Sequence, residues 1–296
     1  MTTDGEPPAR AAFLRQYDEV MRSWPEIDGA PRHVDLPSDF GTTRVWMAGA
    51  DPDDASVPAL VLIPAYQATS AEWTPLAKAL GTRRRIFAVD VPGDAGRSVA
   101  GSRALGDITT LAQWLDTVLD GLHLDRPEIG GHSYGAWIAL RYAIDSPDRV
   151  GRALLVDPTM TFLPLFPTYV LRAAPAMTRP TPQRRVGLLH WENKRSGHPL
   201  DEKWLRVAEL AVEAFPKVPS APTPIPNAAM LQRLTMPVDV VVPGSSRVHV
   251  ARTLARRAKV RLPHGTVHTV AGAGHYNVPW VGAAEIAAAI TGPAQR

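Results

Sequence analysis

Residues 130–137 read GGHSYGAW, a serine with a glycine two positions before it and two after it. Glycines at those offsets permit a turn too sharp for side chains, and such a turn lifts a hydroxyl clear of the backbone, ready to attack a carbonyl. Serine is a poor nucleophile until a neighbour takes its proton. Imidazole both removes that proton and returns it to a leaving group. His275 is the candidate base. It stands in VAGAGHYNVPW, where Gly272 and Gly274 let the segment bend. His33, His123, His190, His198, His249, His264 and His268 have no comparable setting and are read as surface or structural residues. His132 is read as a packing residue that points away from the serine. No two histidines have metal-ligand spacing with a carboxylate nearby, so neither a metal nor a cofactor is expected.

Both groups must be brought to one place by the elements around them. The runs 59–63 (ALVLI), 84–90 (RRIFAVD), 151–157 (GRALLVD) and 237–244 (PVDVVVPG) are the continuous apolar segments of strands buried on both faces. PEIGGHS and GTVHTVA are weaker strands, and residues 32–50 read as two strands around a turn at Asp39-Phe40-Gly41. Helical spacing marks 11–24, 70–80, 107–122, 136–144, 249–259 and 281–290. Strands alternating with helices predict an α/β protein, a mostly parallel sheet flanked by helices on both faces. Ser133 then falls at a strand-to-helix turn, and His275 follows the last strand at the same edge of the sheet. Residues 159–235 break the alternation. They hold eleven of the prolines around helical pieces at 165–174, 184–194 and 201–215, and are expected to form a helical cap on a core of 1–158 and 236–296.

Composition narrows the classes. The chain has 296 residues, 45% hydrophobic and 21% charged, with a net charge of +3. Its arginines are scattered or in short groups without interleaved aromatics, which argues against nucleic acid. No apolar run approaches the roughly 18 residues of a membrane span. The opening residues show no apolar block or cleavage site, so a cytoplasmic location is expected. The absence of cysteine excludes disulfides and thiolate chemistry. The expected partner is a small-molecule substrate, and a homodimer is allowed.

GHSYG, DVPGDAGRS (90–98) and VAGAGHYNVPW (270–280), in that order and at strand ends, resemble the α/β-hydrolase fold family over nearly the whole chain. The opening Tyr17…Trp24-Pro25…Phe40-Gly41-Thr42-Thr43 and the composition are similar to actinobacterial members. The resemblance implies an oxyanion hole from the backbone N–H of Tyr134, after the nucleophile, and of Tyr66, in the loop after the third strand. There Pro64-Ala65 replaces the His-Gly of many members. It also implies an acid after PVDVVVPG, but that loop reads GSSRVH and has no carboxylate. Asp239 lies too early in its strand. Asp157, ending GRALLVD, keeps the order Ser133, Asp157, His275 and stands where some members place their acid. The alternative is that Asp157 merely caps an Asp-Pro turn and the protein uses a Ser–His dyad.

These residues point to a serine hydrolase that cleaves a carboxylic ester, thioester or lactone through an acyl-enzyme. Other chemistry on the same fold (C–C hydrolysis, cyclisation, a lyase step) and a low-turnover ligand-binding protein are the rivals. Trp191, Trp204 and Phe162, with Phe166, Tyr169 and Phe215, are candidates to line a substrate pocket, although packing onto the core accounts for at least half of the six.

Overall fold

A computed structural model describes residues 7–262 and 265–291; His264 and the first six residues lie outside the described residues. A nine-stranded sheet runs through the molecule. Its strands are β1 (Arg32–Ser38), β2 (Gly41–Gly49), β3 (Ala59–Ile63), β4 (Arg85–Val89), β5 (Val99–Ala100), β6 (Glu128–His132), β7 (Arg152–Val156), β8 (Val238–Pro243) and β9 (Gly265–Val270). The order is β1-β2-β4-β3-β6-β7-β8-β9, with β5 paired to β2. β1, β2 and β5 pair antiparallel, and every pairing from β4 to β9 is parallel.

The apolar runs become central strands because both faces of the sheet are covered. In β3, Leu60 and Leu62 join Phe13, Tyr17, Leu76 and Ile286 on one side, while Val61 and Ile63 join Trp114, Leu140 and Leu254 on the other. This is the period-two alternation of a strand. The first layer is built from α1 (Pro8–Met21), α2 (Thr74–Leu80) and α11 (Ala283–Thr291), which follows the short α10 (Val278–Val281). The second comes from α3 (Ile108–Gly121), α4 (Tyr134–Asp145) and α9 (Ala251–Arg261).

Four helices lie between β7 and β8: α5 (Pro167–Thr178), α6 (Pro182–Asn193), α7 (Glu202–Ala214) and the four-residue α8 (Ala228–Leu231). α7 is amphipathic and puts Val207 and Ala211 into the same cluster as Phe13 and Tyr17. Phe215 follows, its ring edge-on to Phe13 at 5.0 Å. α5 buries only Ala173 and Ala176.

A buried carboxylate ties α1 to the loops after β3 and β4. Asp90 accepts from the Tyr17 hydroxyl (2.8 Å), the Ser70 N–H (3.0 Å) and hydroxyl (2.6 Å), and the Arg97 N–H (2.8 Å). A buried charge needs such partners. Gly96 is obligatory beside it, since a Cβ there would stand 2.4 Å from the Asp90 Cγ.

Candidate active site

β6 delivers Ser133 into α4 through the sharp turn. Its backbone is left-handed, φ +54°, a costly conformation for a residue with a side chain. The glycines make it feasible: a Cβ on Gly131 would lie 2.2 Å from the Gly135 carbonyl carbon, and one on Gly135 would lie 2.4 Å from the Ile63 oxygen. The Ser133 N–H donates to the Val156 carbonyl (2.9 Å), which fixes the turn to β7.

Ser133, His275 and Asp157, far apart in sequence, stand in one hydrogen-bonded row. The Ser133 hydroxyl donates to His275 Nε2 at 3.0 Å. The ring proton is then on Nδ1, which donates to Asp157 Oδ2 at 2.6 Å. Asp157 is fully buried with φ +37°, and its N–H donates to the Val241 carbonyl (2.8 Å). The loop after β8, which holds no carboxylate, contributes Ser246 instead; its hydroxyl donates to the same Oδ2 at 2.8 Å. Asp239 is occupied elsewhere, accepting from Arg152 (2.6 Å) and His268 (2.8 Å).

The row is electrostatically matched. Burial pushes the Asp157 carboxyl up, but the hydrogen bond and charge of His275, with His249 and Ser246, outweigh it and hold Asp157 below the usual carboxylate range. Burial likewise pushes His275 down; the bond and charge of Asp157, aided by Glu192 and Glu72, raise it above the ordinary imidazole value.

Behind the row lies a support that the sequence did not reveal. Glu72 accepts from the Ala65 N–H at 3.0 Å through one oxygen, and its other oxygen lies 3.2 Å from His132 Nδ1. His132 Nε2 donates to the His275 carbonyl at 2.9 Å. His132 thus reaches the His275 backbone and does more than pack: it joins that loop to the loop after β3. In the latter loop the Gln67 N–H donates to Asp94 (3.0 Å), whose carboxyl burial pushes up to about 7 despite donors from Ala95 and Gln67. Between these two anchored positions, the Tyr66 N–H is in no hydrogen bond among the described residues, and neither is the Tyr134 N–H at the start of α4.

Ser133 and His275 open into a cavity of about 380 Å³, walled mostly by apolar side chains from α5, α6 and the loop after β3. Of the six aromatic candidates, Tyr169 and Trp204 line it. Phe162 does not: it is buried in the core cluster with Trp137. Nor does Trp191, which packs on Ala173, Ala176 and Leu188 with the Arg247 guanidinium over its ring at 3.7 Å. Phe215 packs on Phe13, and Phe166 is exposed. Two lining donors, Trp204 Nε1 and the Tyr276 hydroxyl, are buried without a protein partner among the described residues.

Residues 60–289 match the model of the alpha/beta hydrolase family. The chain belongs to that family. Carboxylesterase YbfK of Bacillus subtilis (strain 168) is 31% identical over 162 residues, 55% of this chain and 52% of the relative. The uncharacterized carboxylesterase nap of the same organism is 30% identical over 152 residues, 51% of this chain and 48% of the relative. The aligned part thus spans about half the length of these curated relatives. The crystal structure of carboxylesterase CesB (YbfK) from Bacillus subtilis superposes with a TM-score of 0.84 at 22% identity, over 97% of this chain and 100% of that one. That of naproxen esterase (carboxylesterase NP), also from Bacillus subtilis, gives 0.80 at 21% identity, over 92% and 94%. At these identities the structural likeness speaks for the fold.

In this α/β hydrolase the residues missed by sequence reasoning are Glu72 and Ser246. Glu72 sits in SAEWTPLAKAL, read only as a helix, and a single acid there has no spacing that marks a role. Ser246 sits in the loop where the search was for a carboxylate, and a hydroxyl that orients a carboxylate leaves no spacing signal. Tyr169, one of the six aromatic candidates, is the one whose ring meets the His275 imidazole, edge-on at 6.5 Å.

Proposed function

We propose that this α/β hydrolase cleaves carboxylic esters through an acyl-enzyme on Ser133. The observation that carries the reading is the Ser133–His275–Asp157 row at the floor of an apolar cavity; the carboxylesterase names of its relatives support it. The Ser133 oxygen attacks the ester carbonyl carbon as its proton passes to His275 Nε2. Asp157 stabilises the imidazolium that forms. The unoccupied N–H groups of Tyr66 and Tyr134 receive the carbonyl oxygen as it gains negative charge, an interaction typically worth ~3 kcal/mol per donor in the transition state. The tetrahedral intermediate expels the alkoxide, which takes the proton from Nε2. Water then gives a proton to Nε2 and attacks the acyl carbon; the bond from that carbon to the Ser133 oxygen breaks, the oxygen takes the proton back from Nε2, and the acid leaves. Thioester and lactone carbonyls offer the same electrophile. The 159–235 segment acts as the cap that selects the acyl or alcohol group: α5 and α6 supply most of the apolar wall, and Trp204 of α7 closes it.

A fluorophosphonate probe tests the nucleophile and the base together. It adds covalently to the peptide containing Ser133, detected as a mass shift. His275 accepts the proton only in its neutral form, and its pKa is raised above the ordinary 6.5. The neutral fraction, and with it the labelling rate, therefore falls with acidification at a midpoint above 6.5. Labelling of a different serine counts against the mechanism, as does a midpoint at or below 6.5.

A further inference from the structure

Among the described residues seven large apolar side chains are markedly exposed, and four of them are on or next to α5: Phe166, Val170, Leu171 (77% exposed) and Met177 (52%). Phe166, Val170, Ala174 and Met177 recur at intervals of four, four and three, so they form one stripe of the helix, with Leu171 beside it. The opposite face is satisfied, with Ala173 and Ala176 packed against Leu188, Tyr169 and Trp191. An apolar stripe of this extent facing water marks an interaction site. Val170, Ala174 and Met177 also line the cavity above Ser133, so the stripe is the rim of the cavity mouth.

The surroundings of the stripe carry one sign of charge. Residues 159–200 contain six lysines and arginines and a single acid, Glu192, which is buried. At the start of α5 a second cleft, of about 390 Å³, shares no residue with the first. It is lined by Phe166, Val250, Arg195, Arg247 and Arg252. Among the described residues none of these three arginines forms an ion pair; Arg247 gives a hydrogen bond to the Trp191 carbonyl (3.0 Å).

We propose that the α5 face is a docking surface for an anionic lipid bilayer, with the stripe entering the interface and the arginine cleft taking a headgroup phosphate. Guanidinium groups hold phosphate with paired, charge-assisted bonds. A second copy of the chain fits worse, because a two-fold interface through this face sets the same one-signed patch against itself. An acidic protein seated on the stripe would close the cavity mouth, whereas a bilayer supplies esters to it. That last point rests on the ester-cleaving reading; the docking itself does not.

The test is vesicle flotation with the Ser133→Ala protein, which keeps lipid hydrolysis out of the measurement and makes the result independent of the chemistry. Vesicles of phosphatidylcholine with about one third phosphatidylglycerol are compared with pure phosphatidylcholine. Binding is expected at least tenfold stronger to the anionic vesicles and weaker as salt rises, since screening shortens the reach of the charges. Leu171→Glu with Met177→Glu, and separately Arg195→Glu with Arg252→Glu, each lower it at least tenfold. Soluble glycerol phosphate at millimolar concentration does not displace the protein from vesicles. Because all four side chains are exposed, the variants should melt with the parent; the lipid and salt contrasts need no variant and decide the matter if they do not. No flotation with anionic vesicles, equal flotation with both kinds, or a dimer in size-exclusion chromatography that Leu171→Glu splits would each overturn the proposal.

Discussion

Ser133→Ala abolishes hydrolysis of short p-nitrophenyl esters, with kcat falling by about 10⁶, the scale seen in subtilisin when its serine is removed. In the proposed mechanism the loss is large because the change deletes the atom that forms the covalent bond and leaves the rest of the site with nothing to activate. Structure should hardly notice. The hydroxyl's one hydrogen bond is to His275, and the turn is maintained by backbone contacts and by Gly131 and Gly135. Steady-state kinetics beside a thermal melt separates the two effects. Residual turnover within a hundredfold of the parent, in a protein that melts normally, would mean that the reaction does not run through Ser133.

Asp157→Asn is expected to lower kcat by at least ~10²-fold, and by up to about 10⁴, the cost of the same replacement in a serine protease. An asparagine turning its NH₂ toward Nδ1 favours the imidazole with its proton on Nε2, which cannot take the proton from Ser133. It also removes the charge that raises His275, so the acid limb of the pH profile moves to lower pH. The fold tolerates the change: asparagine is nearly isosteric and accepts the positive φ of this position better than most residues. The melting temperature falls little. Kinetics as a function of pH checks both parts, and a variant within threefold of the parent would leave a Ser–His dyad.

What the sequence made legible follows from how each feature is encoded. ALVLI announces a central strand because burial on both faces leaves no room for a polar residue, and all five of its residues are buried. The two residues of β5 and the four of α8 are too short to show a period. The break between α10 and α11 at Gly282 was hidden by the apolar spacing on either side. GHSYG could be placed because its glycines answer a local steric demand. Asp157 could be reached only through chain order, as its contacts with His275 and Ser246 span 118 and 89 residues. The aromatic candidates failed for a related reason. A segment packed between two surfaces buries aromatic rings on either side, and neither Trp191 in α6 nor Phe162 in the loop before α5 has a neighbour in sequence that says which side is the cavity.

Ser133 and Asp157 end neighbouring strands that pair directly, His132 opposite Val156, and the Ser133 amide is bonded to the Val156 oxygen. Two of the three groups are thus fastened to one another by the sheet itself, and their spacing lasts as long as the fold does. Only His275 rides on a loop, with the positive φ of Gly272 near its root. Alignment becomes a one-hinge problem: an imidazole that swings out finds both partners still in place on its return. An acid after β8 would have added a second loop to bring into register. Here that stretch is released from the duty, and its sequence answers only for the Ser246 hydroxyl and for whatever its arginine touches.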